Sequence, residues 1–327
     1  MRPKISVVIP TYRRPQLLYK CLQALLQQHI RPYDYEIIVV SDGPDQLTSK
    51  QVEKFNSAGL VNTRFLPLDA KRGPAAARNH GWQNALADLV AFTDDDCIPD
   101  SDWLFALIEE YYHKQKAPDY IAFTGRIRVP LNRTPTDFEL NISHLETADF
   151  VTANCACTRK VLVKTGGFDE RFEMAWREDS DLEFKLIENN IPIIKVPEAL
   201  ILHPARSAKW GVSIKEQKKV MFDALLYKKY PELFRKKIQQ QPAIPYYLII
   251  CSFTVLIIAA LAGITNAAIA AGIIYLFFTL RFIAKRLANT SHHPKHIAEM
   301  IITSLAIPFL SVYWTLYGAW KYKVLYY

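Results

Sequence analysis

The 327-residue chain allows one large domain or two modest ones, and its 50% hydrophobic and 22% charged residues suffice for a substantial core. Five cysteines without paired spacing exclude a disulfide framework. The net charge of +8 is concentrated in one stretch, and no nucleic-acid motif accompanies it, which argues against a nucleic-acid-binding protein.

Met1-Arg-Pro-Lys leads straight into Ile5–Ile9, a β-branched run too short for the apolar region of a signal peptide. That strand ends at Pro10-Thr11, and helical spacing follows from Pro15 to Gln28. A second strand, Glu36–Val40, stops at Ser41-Asp42-Gly43-Pro44. Helical spacing returns over Leu47–Phe55, a third strand fits Thr63–Leu66, a helix fits Arg78–Ala87, and a fourth strand fits Leu89–Phe92. The alternation predicts an α/β fold, a mainly parallel sheet with helices on both faces. Ligands gather at the carboxyl ends of such strands. Thr11, Asp42 and Asp94–Asp96 each end a different one. No Gly-x-Gly-x-x-Gly follows the first strand and no Walker-type Gly-Lys-Thr occurs, so dinucleotide binding and P-loop hydrolysis lack their phosphate cradle.

Phe92-Thr-Asp-Asp-Asp96 places three carboxylates in a row after an apolar strand. Like charges so close repel, and a hard divalent cation, Mg²⁺ or Mn²⁺, removes the cost. The plainer reading is a solvated acidic turn or a helix cap ahead of Trp103-Leu104. Cys155-Ala-Cys157 is a poor zinc site and reads as reduced, partly buried thiols. Farther on, Ser180–Glu188 is helical and Ala199–Leu202 strand-like.

The tail has a different character. Arg206–Lys237 holds ten Lys/Arg against three acids, then Ile238–Leu280 runs 43 residues without a charge. One crossing of a bilayer needs roughly 20 residues, so this run fits two spans joined at Gly263-Ile-Thr-Asn266. Helices are expected at 246–262 and 267–283, and a third at 297–319, bent at Pro308. The domains are then 1–205, a basic juxtamembrane or interfacial segment 206–241 that can dock on membrane lipids, and a transmembrane region 242–327. A buried helical hairpin in a soluble core is the alternative. The basic stretch puts the N-terminal domain in the cytoplasm, the chain being an integral protein of the bacterial inner-membrane type. Lys321 and Lys323 then fall outside, a conflict for the third span. A chain ending near Gln241 is expected to be more soluble.

Ile5-Ser-Val-Val-Ile-Pro-Thr-Tyr-Arg13, Glu36–Asp42, Gly73-Pro-Ala-Ala-Ala-Arg-Asn79 and Phe92–Asp96 stand in the order seen in family 2 glycosyltransferases of the GT-A fold, which this sequence resembles. Thr165-Gly-Gly-Phe-Asp169 and Trp176-Arg-Glu-Asp179 continue the likeness, which covers about residues 4 to 205. It implies a metal-assisted, inverting transferase that uses a nucleotide-sugar donor, by family default a UDP-sugar.

On that resemblance Pro10 and Thr11 border the nucleotide base, and Asp42 bonds it; an Asx-turn before Gly43 is the plainer account of Asp42. Arg78 suits the pyrophosphate, with a surface ion pair as the alternative. Asp94 lies nearer ribose and metal, Asp96 binds the cation, and Asp95 fills the middle, so the pairing 94/96 or 95/96 stays open. His203, after its strand, is a candidate to complete the metal shell, although a lone histidine there is more often structural. Asp179 is the candidate general base. Its alternative is a helix N-terminal acid favoured by the macrodipole. Trp176 is the acceptor-side candidate, with Glu178 grouped beside it but assigned no chemistry; Trp103 reads as packing.

A sugar hydroxyl needs a base and a phosphate acceptor does not, so Trp-x-Glu-Asp favours a glycan or lipid-linked glycan over a polyprenyl phosphate. A catalytically inactive nucleotide- or glycan-binding membrane adaptor and a nucleotidyltransferase are the competing classes. A homo-oligomer is left open.

Overall fold

The computed structural model describes residues 2–57, 59, 61–131 and 133–326. Strands β1 (Ile5–Thr11), β2 (Tyr35–Ser41), β3 (Asn62–Pro67) and β4 (Leu89–Phe92) lie parallel in the order β3-β2-β1-β4. Helices α1 (Pro15–Leu26), α2 (Gln46–Asn56) and α3 (Pro74–Gln83) alternate with them. Past β4 the sheet continues through β7 (Cys155–Thr158), β6 (Ala122–Arg128), β8 (Ile193–Leu202) and β5 (Ile98–Pro99). Of the eight strands only β7 and β5 run against the rest.

The sheet is covered on both faces because each central strand is apolar at odd and even positions alike. Val8, Ile38, Val40, Val90 and Phe92 pack against α3, α6 (Arg159–Thr165) and α7 (Glu178–Glu188). Val7, Ile9, Ile37 and Val39 alternate with them and are equally buried, facing the side where the Tyr35 hydroxyl donates to the Leu25 carbonyl of α1. Gln28 ties α1 to α4 (Trp103–Ile108), accepting from the Leu104 amide and donating to the Asp100 carbonyl.

β6 and β7 have no counterpart in the sequence reading. Cys155–Thr158 is four buried residues with no alternation, and β6 carries a register shift at Gly125/Arg126. A Cβ on Gly125 would stand 2.3 Å from the Ala199 carbonyl oxygen, so only glycine fits there. Helix α3 begins at Pro74, ahead of the expected Arg78, because Gly73 at φ 98° turns the chain and Pro74 is pre-set for a first helical turn.

The chain divides into two compact units, residues 1–130 with 143–205, and residues 131–142 with 206–327. In the second unit the basic stretch holds the short helices α8 (Val212–Glu216), α9 (Met221–Lys229) and α10 (Pro231–Lys237), with a 3-10 turn at Gln217–Val220 between the first two, and Met221–Leu226 are all buried. Three long helices follow: α11 (Ile244–Leu261), α12 (Thr265–Leu287) and α13 (Pro294–Lys321). Each is long and apolar enough to cross a membrane. Gly263, at φ 73°, makes the turn between the first two, and α13 continues through Pro308. The segment 131–142 joins this unit through α5 (Asp137–Ser143), which opens on a Thr136/Glu139 capping box. Asp137 accepts from the buried Arg286, which also reaches Ser213, Thr303 and Ser304.

Candidate active site

β2, β1 and β4 are neighbours, so their carboxyl ends bring Asp42, Thr11 and the Asp94–Asp96 run to one edge of the sheet. Asp42 is buried, and its Oδ1 accepts from the amides of Arg72 (2.7 Å) and Gly73 (2.8 Å). It therefore holds a distant loop, while the turn after β2 is closed by the Ser41 hydroxyl donating to the Gly43 carbonyl. A Cβ on Gly73 would lie 2.5 Å from the Glu173 carbonyl oxygen, so the two loops touch backbone to backbone. Beside them opens a cleft of about 570 Å³ lined by Lys71, Arg72, Gly73, Glu170, Arg171 and Glu173. Asn79 fixes its second wall. The amide accepts from Trp82 Nε1 and the Phe168 amide and donates to the Phe168 carbonyl and Glu170, each at 2.9 Å.

The three consecutive aspartates point three ways. Asp94 is the most open and accepts from Arg78 Nη2 at 2.7 Å. Asp95 turns back toward β1, accepting from the Thr11 hydroxyl at 2.7 Å and from Arg14 at 3.4 Å. Burial pushes its carboxyl up to about 6 against the pull of Arg14 and Thr11. Asp96 faces His203 at the end of β8, with 3.8 Å between Oδ1 and Nε2. That is too long for a hydrogen bond, and two ligands each about 2.1 Å from one ion lie between about 3 and 4 Å apart. His203 Nδ1 is buried with no hydrogen-bond partner among the described residues. One ligand atom from each of Asp96, Cys97 and His203 falls within 4.8 Å of the others. The Cys97 thiol is pushed well up by burial, with Asp94 and Asp96 adding to the shift. A carboxylate and an imidazole fit Mg²⁺ or Mn²⁺ better than a thiol does.

Arg78 links this edge to the start of α7. Its side chain is buried, with Nη2 on Asp94 and Nη1 on Glu178 at 3.1 Å. Burial disfavours its charge, but Asp94 and Glu178 outweigh that and raise its pKa. Glu178 is raised as well, chiefly by burial, with Arg78 opposing and Asp179 adding to it. Asp179, half-buried, is the second residue of α7 and accepts from the Ser180 amide at 2.6 Å. The residue before the helix, Arg177, has φ 73°, a conformation costly for a side chain, and stacks on the half-exposed Trp176 at 4.6 Å.

The structure thus gathers Thr11, Arg78, Asp94, Asp95, Asp96 and His203 at one edge, with Glu178 and Asp179 brought in by Arg78. Asp42 is tied into the neighbouring loop, and Pro10 is buried inside β1 opposite Val40. The Arg78 fork is turned inward onto protein carboxylates and the Thr11 hydroxyl onto Asp95. Trp103 is fully buried and donates to Asn154, as packing requires. Arg14, Asn79 and Cys97 were not singled out by sequence reasoning. Asn79 lies in the Gly73–Asn79 motif, where a cue was present; Arg14 and Cys97 adjoin motif residues without a pattern of their own.

Residues 6–166 match the family model described as Glycosyl transferase family 2. The N-terminal unit is a family 2 glycosyltransferase domain. The curated relatives carry the same chemistry in their names. Glycosyltransferase AglE of Haloferax volcanii is 35% identical over 31% of this chain and 33% of its own length. Chondroitin synthase of Escherichia coli is 26% identical over 71% of the chain and 39% of its own length. GalNAc(5)-diNAcBac-PP-undecaprenol beta-1,3-glucosyltransferase of Campylobacter jejuni is 34% identical over 29% and 30%. The chain thus spans about a third of these relatives' length. Among solved structures, a mannosyltransferase of Pyrobaculum calidifontis, in complex with GDP-Man and Mn²⁺, superposes with a TM-score of 0.58. It shares 16% identity over 98% of this chain and 88% of that one, a likeness of fold. The glycosyltransferase domain has the GT-A fold, a mixed sheet between helices.

Proposed function

We propose that the chain moves a sugar from a nucleotide-sugar donor to a hydroxyl of a glycan or lipid-linked glycan, with inversion and with the help of a divalent cation. The observation that carries this reading is the Arg78 fork, 2.7 Å from Asp94 and 3.1 Å from Glu178. One guanidinium thereby sets the acidic strand end beside the start of α7. In-line displacement needs that neighbourhood, since a diphosphate departs from one side of the sugar while an alcohol loses its proton on the other.

Asp179 is the base. Its carboxylate is half-exposed at the helix start, whereas Glu178 beside it is buried and committed to Arg78. Arg78 is a positioning residue that fixes Asp94 and, through Glu178, the first turn of α7. Asp42 shapes the nucleotide side by holding the Arg72–Gly73 loop against the Glu173 backbone. Asp96 and His203 would hold Mg²⁺ or Mn²⁺ with Asp94 at hand, and Asp95 braces Thr11 and Arg14. A bound cation supplies neutralisation of the charge on the departing nucleoside diphosphate. Trp176 offers a ring to an acceptor sugar. The Campylobacter relative, named for a lipid-linked oligosaccharide acceptor, favours a hydroxyl over a bare lipid phosphate. The α11–α12 hairpin anchors the chain in a membrane, and the lysine-rich stretch before it keeps the glycosyltransferase domain cytoplasmic.

Asp179→Asn is expected to lower turnover by about 10²–10⁴-fold while nucleoside-diphosphate affinity stays near that of the unmodified protein. A parallel loss of donor affinity would contradict the base assignment. Asp96→Ala should weaken Mn²⁺-dependent binding of the nucleoside diphosphate, measured by dialysis; unchanged manganese dependence would remove it from the metal shell.

A further inference from the structure

The three apolar helices are alike in composition but differ in what they pack against. α11 and α12, at about 1.5 Å per residue, are about 27 and 35 Å long, the depth of a bilayer core. They pair antiparallel along their length, Tyr246 on Phe282 and Phe253 on Tyr275, both with ring centroids 5.2 Å apart. Their far half is bare, with Ile258 61%, Leu261 85% and Ile273 65% exposed.

α13 touches this pair at its base, through Thr303 and Ser304 on Arg286, and reaches up to its mid-length only through the ring of Phe309 on Phe253. Over the rest of its length it is accompanied by the basic segment. Glu299 accepts from the Gly211 amide at 2.6 Å, and Lys218 lies over the Trp314 ring at 5.8 Å. A Cβ on Gly318 would stand 2.4 Å from the Met221 carbonyl oxygen. Lys228 donates to the Tyr322 carbonyl at 2.8 Å, and Tyr326 packs on Tyr227 and Phe234. Residues 211–234 thus follow α13 from its second turn past its last. The buried face of α13 mixes apolar and small hydroxylated residues, Met300 and Ile307 with Thr303, Ser304, Ser311, Thr315 and Gly318 at helical spacing. Its other face exposes Ile302, Leu305, Tyr313, Leu316 and Trp320.

A helix that crosses a bilayer takes its packing partner with it. Here the partner carries Lys215, Lys218, Lys219, Asp223, Lys228 and Lys229, and each charge near the hydrocarbon centre is strongly disfavoured. The lysines suit anionic headgroups, and the apolar stripe suits the acyl boundary beneath them, the pattern of a helix lying in the interface.

We propose that α13 does not cross the membrane. It lies in the headgroup–acyl boundary with Ile302, Leu305, Tyr313, Leu316 and Trp320 turned into lipid, clasped by the basic segment, and it returns the chain's last residues to the side from which α11 entered. Lys321 and Lys323 then sit on the same side as the other lysines, and the charge conflict of a third span disappears. The proposal rests on the reading that the α11–α12 hairpin crosses a bilayer.

Single cysteines in the full-length protein separate the two. Cys251 is the one exposed cysteine, the other four being buried, so Cys251→Ser gives a silent background. Lys236→Cys, Ile264→Cys and Leu325→Cys lie at exposed positions before, between and after the helices. With a membrane-impermeant maleimide on sealed vesicles of each orientation, positions 236 and 325 are expected to react from one face and 264 from the other. Position 325 reacting from the face of 264 overturns the proposal and leaves the hairpin standing. Position 264 reacting from the face of 236 removes the hairpin and the proposal together. Fluorophores at 302, 305 and 316, quenched by lipids labelled at set depths, should all report a shallow position. A series running through the bilayer centre would mean a crossing helix.

Discussion

At the scale of single residues, the decisive group is Arg78, caged by Asp94 and Glu178. Removing the cation leaves the buried Glu178 uncompensated beside the half-buried Asp94, so Arg78→Met is expected to cost about 3–5 kcal/mol, read as a lowered melting temperature. Adding Glu178→Gln in the same chain should recover part of the loss, because one uncompensated charge is then gone. Glu178 also sets a pH dependence. Its folded pKa is raised from 4.5 toward about 7, so its proton is held more tightly in the folded state. Its contribution to stability is therefore complete below about pH 4.5 and lost as pH rises toward 7. The melting-temperature difference between Glu178→Gln and the unmodified protein should move in favour of the glutamine across that range.

At the scale of elements, the order from β1 through α1, β2, α2, β3 and α3 to β4 was legible because each carries its own pattern. β1, β2 and β4 are short, mostly apolar runs that stop at turn residues, and α1 and α2 have amphipathic spacing. β6 and β7 were not legible, since a bulge and a four-residue buried strand show no periodicity. Nor was the loop contact at Gly73. Gly73→Ala would put a methyl 2.5 Å from the Glu173 oxygen at φ 98°, whereas Gly166→Ala meets nothing within 4 Å at φ 73°. The first is expected to destabilise by clearly more than the roughly 1 kcal/mol of the second, by thermal denaturation, and to weaken nucleoside-diphosphate binding where the second does not.

At the scale of the whole molecule, the sequence places a boundary after residue 205 and predicts that ending near Gln241 yields a more soluble chain. The structure changes that expectation. Residues 131–142 belong with the helical unit, and a chain ending at Gln241 loses Arg286 and Gly318, the partners of Asp137 and Met221. Such a chain is expected to aggregate or stay membrane-bound, as sedimentation after detergent-free lysis would show. In the full chain, Arg286→Ala should speed amide hydrogen exchange in 131–142 and 212–216 while exchange in β1 and β2 is unchanged.

Local chemistry was written in the sequence. Strand-end carboxylates and a run without charge are each contiguous, so they declare a sheet edge and helices long and apolar enough to cross a membrane without any partner. Where each of three adjacent aspartates points, what Arg78 grips 100 residues away, and which segment clasps α13 depend on groups remote in the chain. Side-chain direction follows from the packing around it, and that packing exists only once the distant pieces have met.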